Sequence, residues 1–122
     1  MNEQENGKFV EKRKYPRAPV SVEIMCYRSS EQRERGEGVL VFYSKDISIG
    51  GIFLETTVPL EIDTNIFLRF KLPSSDRTIT CQGRVVRIAS GGSGYSVGIG
   101  LEFERVNFED KKLIDEYVKG NF

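Results

Sequence analysis

Tyr95-Ser96-Val97-Gly98-Ile99-Gly100-Leu101-Glu102-Phe103 is the stretch from which the fold can be read. Tyr95, Val97, Ile99, Leu101 and Phe103 mark one apolar face at period two, the repeat of a half-buried β-strand. Ser96, Gly98 and Gly100 leave the other face nearly bare, so another element can approach it closely. On the C-terminal side the period changes. Leu113, Ile114, Tyr117 and Val118 form the stripe of a helix from about Phe108 to Lys119. Asn107 is its N-cap, Glu109 and Asp110 suit the positive end of its dipole, and Gly120 is its expected stop.

On the N-terminal side the period-two pattern recurs. Val20, Val22, Ile24 and Cys26 alternate with Ser21, Glu23, Met25 and Tyr27. A second strand is expected from about Val39 to Lys45 and a third from Ile52 to Thr56. Ile66, Leu68, Phe70 and Leu72 alternate with Phe67, Arg69 and Lys71, and a fifth strand runs from about Thr78 to Ala89. The apolar parity of the fifth shifts from Ile79, Cys81 and Val85 to Val86 and Ile88, which predicts a bulge or sharp bend near Gly83. Ser29 to Gly38 is charged and reads as a solvated loop, and Asp46 to Gly51 reads as a turn. Six short strands with glycine-rich turns predict a mainly β fold: a six-stranded antiparallel β-barrel with an N-terminal arm and a C-terminal α-helix.

The 122 residues suit one domain. Residues 1–8 are polar and expected to be disordered, 9–119 form the domain, and 120–122 a short tail. Lysine plus arginine equals aspartate plus glutamate at 18 each, so a generic electrostatic grip on nucleic acid or an anionic membrane is not expected. Ten of the cations are arginine, whose planar fork suits bidentate contacts to phosphate and guanine. There is no histidine, so the common general base and metal ligand is missing. No zinc-type cysteine cluster, P-loop or dinucleotide fingerprint occurs either. No catalytic residue, metal site or cofactor is therefore expected. Cys26 and Cys81 lie in apolar stretches without CxxC spacing, and read as core residues in a reducing cytosol. No apolar run approaches the ~20 residues of a membrane span. The N-terminus, MNEQENGKF, is polar and no signal peptide. The expected location is the cytoplasm.

Two segments carry candidate ligand chemistry. Pro16 favours an extended Arg13-Lys14-Tyr15-Pro16-Arg17. At roughly 3.3 Å per residue the Cα atoms of Arg13 and Arg17 then stand about 13 Å apart, and two long side chains at that spacing can close on a ligand from two sides. Alone, the segment also reads as a solubilising basic tail. In Asp46-Ile47-Ser48-Ile49-Gly50-Gly51 a carboxylate and a hydroxyl two residues apart share one face if the segment is extended. The glycines permit close backbone approach. Alone, it also reads as an ordinary turn whose amides Asp46 and Ser48 satisfy.

In the order basic arm, strand, strand, DxSxGG, the chain resembles the PilZ domain family over roughly residues 8–119. Arg13 and Arg17 match the family's RxxxR motif, and Asp46, Ser48 and Gly51 match DxSxxG. The run Gly98 to Phe103 is similar to the family's last barrel strand. The resemblance implies a barrel whose arm and turn bind cyclic di-GMP, with Lys12, Arg13, Arg17, Asp46, Ser48, Gly50, Gly51 and Arg87 as ligand-binding residues. Arginine can pair with phosphate or bridge guanine O6 and N7. Asp46 can accept from guanine N–H groups with Ser48 beside it, and the arm would gain order on binding. The chain departs from the family at two places. Many relatives carry a tryptophan late in the fifth strand, but this chain has none. Arg87 stands at about that place, either stacking through its guanidinium or remaining a solvated strand charge. Lys12 precedes the first motif arginine, where the family varies between binding one ligand molecule and a stacked pair.

The resemblance thus implies a bacterial signalling receptor or adaptor without catalysis, handing its state to an unidentified downstream protein. Two alternatives belong to other classes. One is a protein-interaction module that no longer binds nucleotide. The other is a single-stranded nucleic-acid-binding barrel using Phe53 and Phe67 as exposed aromatics, although nucleic acid is not the expected partner of a chain with balanced charge.

Overall fold

The computed structural model describes residues 15–91 and 97–121. In chain order it contains β1 (Ala18–Pro19), β2 (Glu23–Tyr27), α1 (Ser30–Arg35), β3 (Leu40–Ser48), β4 (Gly51–Glu55), β5 (Asn65–Phe70), β6 (Ile79–Ser90), β7 (Val97–Phe103) and α2 (Phe108–Asn121). Every strand pairing is antiparallel. The strands β3-β2-β5-β6-β7-β4 close on themselves through β3–β4, which makes a six-stranded barrel, and β1 lies outside it on β3. Closure leaves no long exposed edge on the ring.

The alternating apolar positions supply the interior. Ile24, Ile47, Ile52, Leu54, Leu68 and Ile79 are all 0% exposed. Each such side chain contributes roughly 1.5–3 kcal/mol by burial. From α2, Ile114 and Val118 join the same core, and the helix packs on β1 and β3. Asn107 caps it as expected, its Oδ1 accepting from Asp110 N at 2.8 Å. Cys26 and Cys81 flank Leu68, the cross-strand partner of both. At ~4.8 Å per strand they stand about 10 Å apart, beyond disulfide reach. Burial first, then the neighbouring Cys81, pushes the Cys26 thiol up to about 12. Burial, with Asp110 adding to it, does the same to Cys81, also to about 12.

The structure differs from the sequence expectations in three places away from the site. Ser29 to Gly38, expected as loop, contains α1. No residue of α1 is buried, so no apolar period announces it, and local devices hold it instead. Ser29 Oγ accepts from Gln32 N at 3.1 Å, Arg35 pairs with Glu31 at 3.0 Å, and Gly36 ends the helix at φ 68°. The bulge in β6 falls between Val85 and Arg87, not at Gly83. Gly83 stays in regular register with Ile66 and Phe103, and a Cβ there would meet the Leu101 and Leu68 side chains only at ordinary contact distance. Nor does Gly120 stop α2, which continues to Asn121, where Nδ2 donates to Tyr117 O at 2.7 Å. Residues 1–8, Tyr95 and Ser96 lie outside the described residues.

Candidate functional site

Two bulges aim the side chains of this site. In β3 the register with β4 slips between Ser44 and Asp46, so that Lys45 is the extra residue. Before the slip Ser44 points inward, 1% exposed, with its Oγ donating to Val20 O at 2.7 Å. Regular alternation would then send Asp46 inward as well. The slip turns Asp46 and Ser48 to the outer side and Ile47 to the core. In β6 the slip at Val86 sets Arg87 opposite Gly100, where regular pairing would have set Val86. Re-aiming a side chain is a recurrent use of bulges.

The two slips share a consequence. Asp46 pairs with Phe53, Phe53 with Gly100, and Gly100 with Arg87. These four positions form one row across β3, β4, β7 and β6, facing away from the core to which Ile52, Leu54, Ile99 and Leu101 belong. Phe53 is nonetheless only 4% exposed. Its ring lies against Gly98, where a Cβ would come within 2.8 Å of the ring. The Arg87 guanidinium covers it, with Cζ 5.1 Å from the ring centroid. The bare glycine face anticipated on the last strand is therefore the bed of Phe53.

The arm meets this row at Asp46. Arg17 Nε lies 2.7 Å from Asp46 Oδ1, with the two side chains 25% and 28% exposed. The arm is tied down just behind it: β1 pairs Ala18 with Ile47 and Pro19 with Asp46, and Tyr117 Oη donates to Pro19 O at 2.8 Å. Arg17 and Arg87 bring two guanidinium groups to a surface that holds one carboxylate of the row, a balance suited to an anion with aromatic parts.

The DxSxGG segment is less of a turn than expected. Asp46, Ile47 and Ser48 are the end of β3, and Gly51 begins β4, which leaves Ile49 and Gly50 as the bend. Extended backbone explains why Asp46 and Ser48 share a side. Ser48 is 2% exposed, and its Oγ accepts from Gly50 N at 3.1 Å. A Cβ on Gly51 would overlap the Leu101 carbonyl oxygen, so this glycine serves the close approach of β7. The structure thus brings together Arg17, Asp46, Ser48, Gly50 and Gly51, and sets Arg87 three strands along the same row. Lys12 and Arg13 lie outside the described residues.

Sequence reasoning placed Phe53 among exposed aromatics and missed its contact with Arg87. The signal was present in the three-residue apolar run Ile52-Phe53-Leu54, whose middle member must face outward, together with the bare glycines of the last strand. A cavity of about 550 Å³, lined in part by Tyr27, Leu40, Phe42, Val58 and Ile66, touches none of these residues. It lies towards the Leu40 end of β3, so the candidate site is a surface platform and not that cavity. Among the described residues no group of three or more His, Cys, Asp or Glu could hold a metal, and no helix is long and apolar enough to cross a membrane.

The fold is shared with solved structures. The chain superposes on the Bacillus subtilis inhibitor of motility MotI/DgrA with a TM-score of 0.74 at 20% identity, over 88% of this chain and 50% of that one. It superposes on the PilZ domain of Escherichia coli YcgR, solved with c-di-GMP, with a TM-score of 0.61 at 14% identity, over 90% and 91%. For the K. pneumonia MrkH–c-di-GMP complex the TM-score is 0.62 at 19% identity, over 88% and 50%. The chain spans about half the length of MotI and MrkH. No protein of curated function matches the chain in sequence. Identities this low speak for fold alone, but the model of the family described as "PilZ domain" matches residues 11–120. A match over nearly the whole chain means that the chain belongs to the PilZ domain family.

Proposed function

We propose that this chain is a receptor for cyclic di-GMP that acts as a signalling adaptor, without catalysis, in a bacterial cytoplasm. The observation that carries the reading is the 2.7 Å contact between Arg17 and Asp46, 29 residues apart in sequence. It joins the two segments that each looked ordinary alone, and it lies on the same row as Arg87. The likeness of fold to the YcgR domain and MrkH, both solved with c-di-GMP, supports it.

Each residue has a role in this reading. Arg13 and Arg17, with Lys12 beside them, take the ligand's phosphates and guanine O6 and N7 through charge-assisted bonds. Asp46 accepts from the guanine N1 and N2 hydrogens, and so selects the base. Ser48 and Gly50 shape the bend under it, and Gly51 keeps the bend close to β7. Arg87, lying over Phe53, offers the outer face of its guanidinium plane to a base in the place where relatives carry tryptophan. The arm orders further as its arginines engage, and a protein partner reads that change.

The nucleic-acid alternative is disfavoured by the aromatics it needs. Phe53 lies under Arg87 and Phe67 lies under Arg33, whose Cζ is 5.7 Å from the ring centroid. Calorimetric titration with cyclic di-GMP and, separately, with single-stranded RNA tests the proposal. Saturable binding of cyclic di-GMP without RNA binding is expected. Silence towards cyclic di-GMP, or preference for RNA, overturns it.

A further inference from the structure

We infer that Tyr15 seats the N-terminal arm on the barrel, with Gly50 as its socket, and that this contact holds the arm's arginines on the ligand face. The inference rests on the cyclic di-GMP reading for its consequence, but not for the contact itself. Tyr15 Cδ2 and Cε2 lie 2.8 and 2.9 Å from where a Cβ on Gly50 would stand. Real Cβ atoms do not approach other atoms so closely, so ring and side chain exclude each other.

The backbone does not ask for glycine here. Gly50 is not among the positive-φ residues, and an L-residue could adopt its conformation. Both its backbone groups are already engaged, the N–H with Ser48 Oγ at 3.1 Å and the carbonyl with Phe103 N at 2.9 Å. What glycine supplies at position 50 is room for the ring. Gly51 differs in this respect, because it yields to the backbone of β7.

The register explains why the ring arrives there. β1 pairs Ala18 with Ile47 and Pro19 with Asp46. Carrying that register three residues towards the N-terminus sets Tyr15 opposite Gly50. Pro16 stiffens the link between the ring and Arg17. Tyr15 on Gly50 and Arg17 on Asp46 therefore grip the two ends of one segment. Residues two apart in an extended chain share a face, so the seat of the ring also sets the side from which Arg17 reaches Asp46. Tyr15 is 46% exposed, which leaves much of its surface uncovered. It is a positioning residue.

A mutant cycle tests this on the full chain. Affinity for cyclic di-GMP is measured for the wild type, Tyr15→Phe, Tyr15→Ala, Gly50→Ala and the Tyr15→Ala/Gly50→Ala double variant, with melting temperature as the check on folding. Tyr15→Phe keeps the ring and should bind like the wild type. Tyr15→Ala and Gly50→Ala should each weaken binding about tenfold, and the double variant should be no weaker than either. Wild-type affinity in Tyr15→Ala overturns the inference. So do losses that multiply to about a hundredfold in the double variant, because Gly50 would then make room for the ligand and not for the ring. A second readout needs no ligand: ring current from Tyr15 should shift the Gly50 Hα resonances in the wild type and in Tyr15→Phe, and the shift should vanish in Tyr15→Ala. Its absence from the wild type overturns the seat. A wild type that shows the shift but binds no cyclic di-GMP upholds the seat and instead overturns the receptor reading.

Discussion

Arg84, on β6, has carboxylates on all three guanidinium nitrogens: Glu104 on Nε at 2.9 Å, Asp63 on Nη1 at 2.9 Å and Glu102 on Nη2 at 2.6 Å. Arg17, at the mouth of the arm, places Nε alone on Asp46 at 2.7 Å and forms no other ion pair among the described residues. The hydrogen bonds from Glu104 and then Asp63, with Glu102 adding to them, push the Arg84 guanidinium further up from its ordinary value. Three carboxylates around one cation leave a net negative surface that an incoming phosphate meets as repulsion. One carboxylate beside one cation leaves a fork whose two outer nitrogens form no ion pair among the described residues, and a carboxylate that can turn to new donors when the arginine turns to phosphate. The same side-chain chemistry is thus structural at Arg84, where it ties the Asp63 loop to β6 and β7, and available at Arg17. The count of partners separates the two, not the residue type.

The largest expected effect sharpens that contrast directly. Arg17→Ala should weaken cyclic di-GMP binding by about 1.5–3 kcal/mol, roughly 10- to 150-fold, with the melting temperature nearly unchanged. Arg84→Ala should do the reverse, leaving affinity alone and lowering the melting temperature. Equal losses of affinity in the two variants would break the comparison.

Asp46→Ala probes the other half of the pair. Cyclic di-AMP has the same phosphates but lacks the N1 and N2 donor pair of guanine. Removing the carboxylate should therefore reduce the preference for cyclic di-GMP over cyclic di-AMP by about 1–3 kcal/mol. If Asp46 only holds Arg17, both ligands weaken by one factor and the ratio stays put. Measuring both affinities together with the melting temperature separates these outcomes.

A further effect lies in the core, away from the ligand face. Cys26 and Cys81 rise from 9.0 to about 12 on folding. The folded state then holds protons that the unfolded state has released, so the stability from burying neutral thiols is complete below pH 9 and lost as pH climbs towards 12. At pH 10 the loss is about 1 kcal/mol per thiol. Urea unfolding at pH 8 and pH 10 should show a shallower decline in a Cys26→Ala/Cys81→Ala variant than in the wild type. An identical slope would mean that the thiols titrate as in the unfolded chain.

Much of this protein is legible in its sequence. The strands, the closed barrel and the capped C-terminal helix follow from periods of two and 3.6, because one-sided burial imposes those periods locally. The arm and the DxSxGG segment stood out as chemistry, and only their order along the chain pointed to a shared site. Less legible was α1, which is held by caps and an exposed ion pair and buries nothing. The role of Phe53 was missed because an outward-facing aromatic reads as exposed until Gly98 and Arg87 are known to enclose it.

By itself the sequence determined which residues alternate, which segments are extended, and which side chains carry charge and donor forks. The tertiary structure decided where the alternation breaks. Phe42 and Ile47 are both in the core although they are five residues apart, which regular alternation forbids, and the slip at Lys45 reconciles them. The slip at Val86 does the same office for Arg87. The physical reason is that alternation belongs to a single strand, whereas a bulge is a mismatch in length between two strands. Which residue is left over depends on how β3 must meet β4 and β6 must meet β7 as the ring closes, and those two mismatches turn Asp46 and Arg87 to the same side.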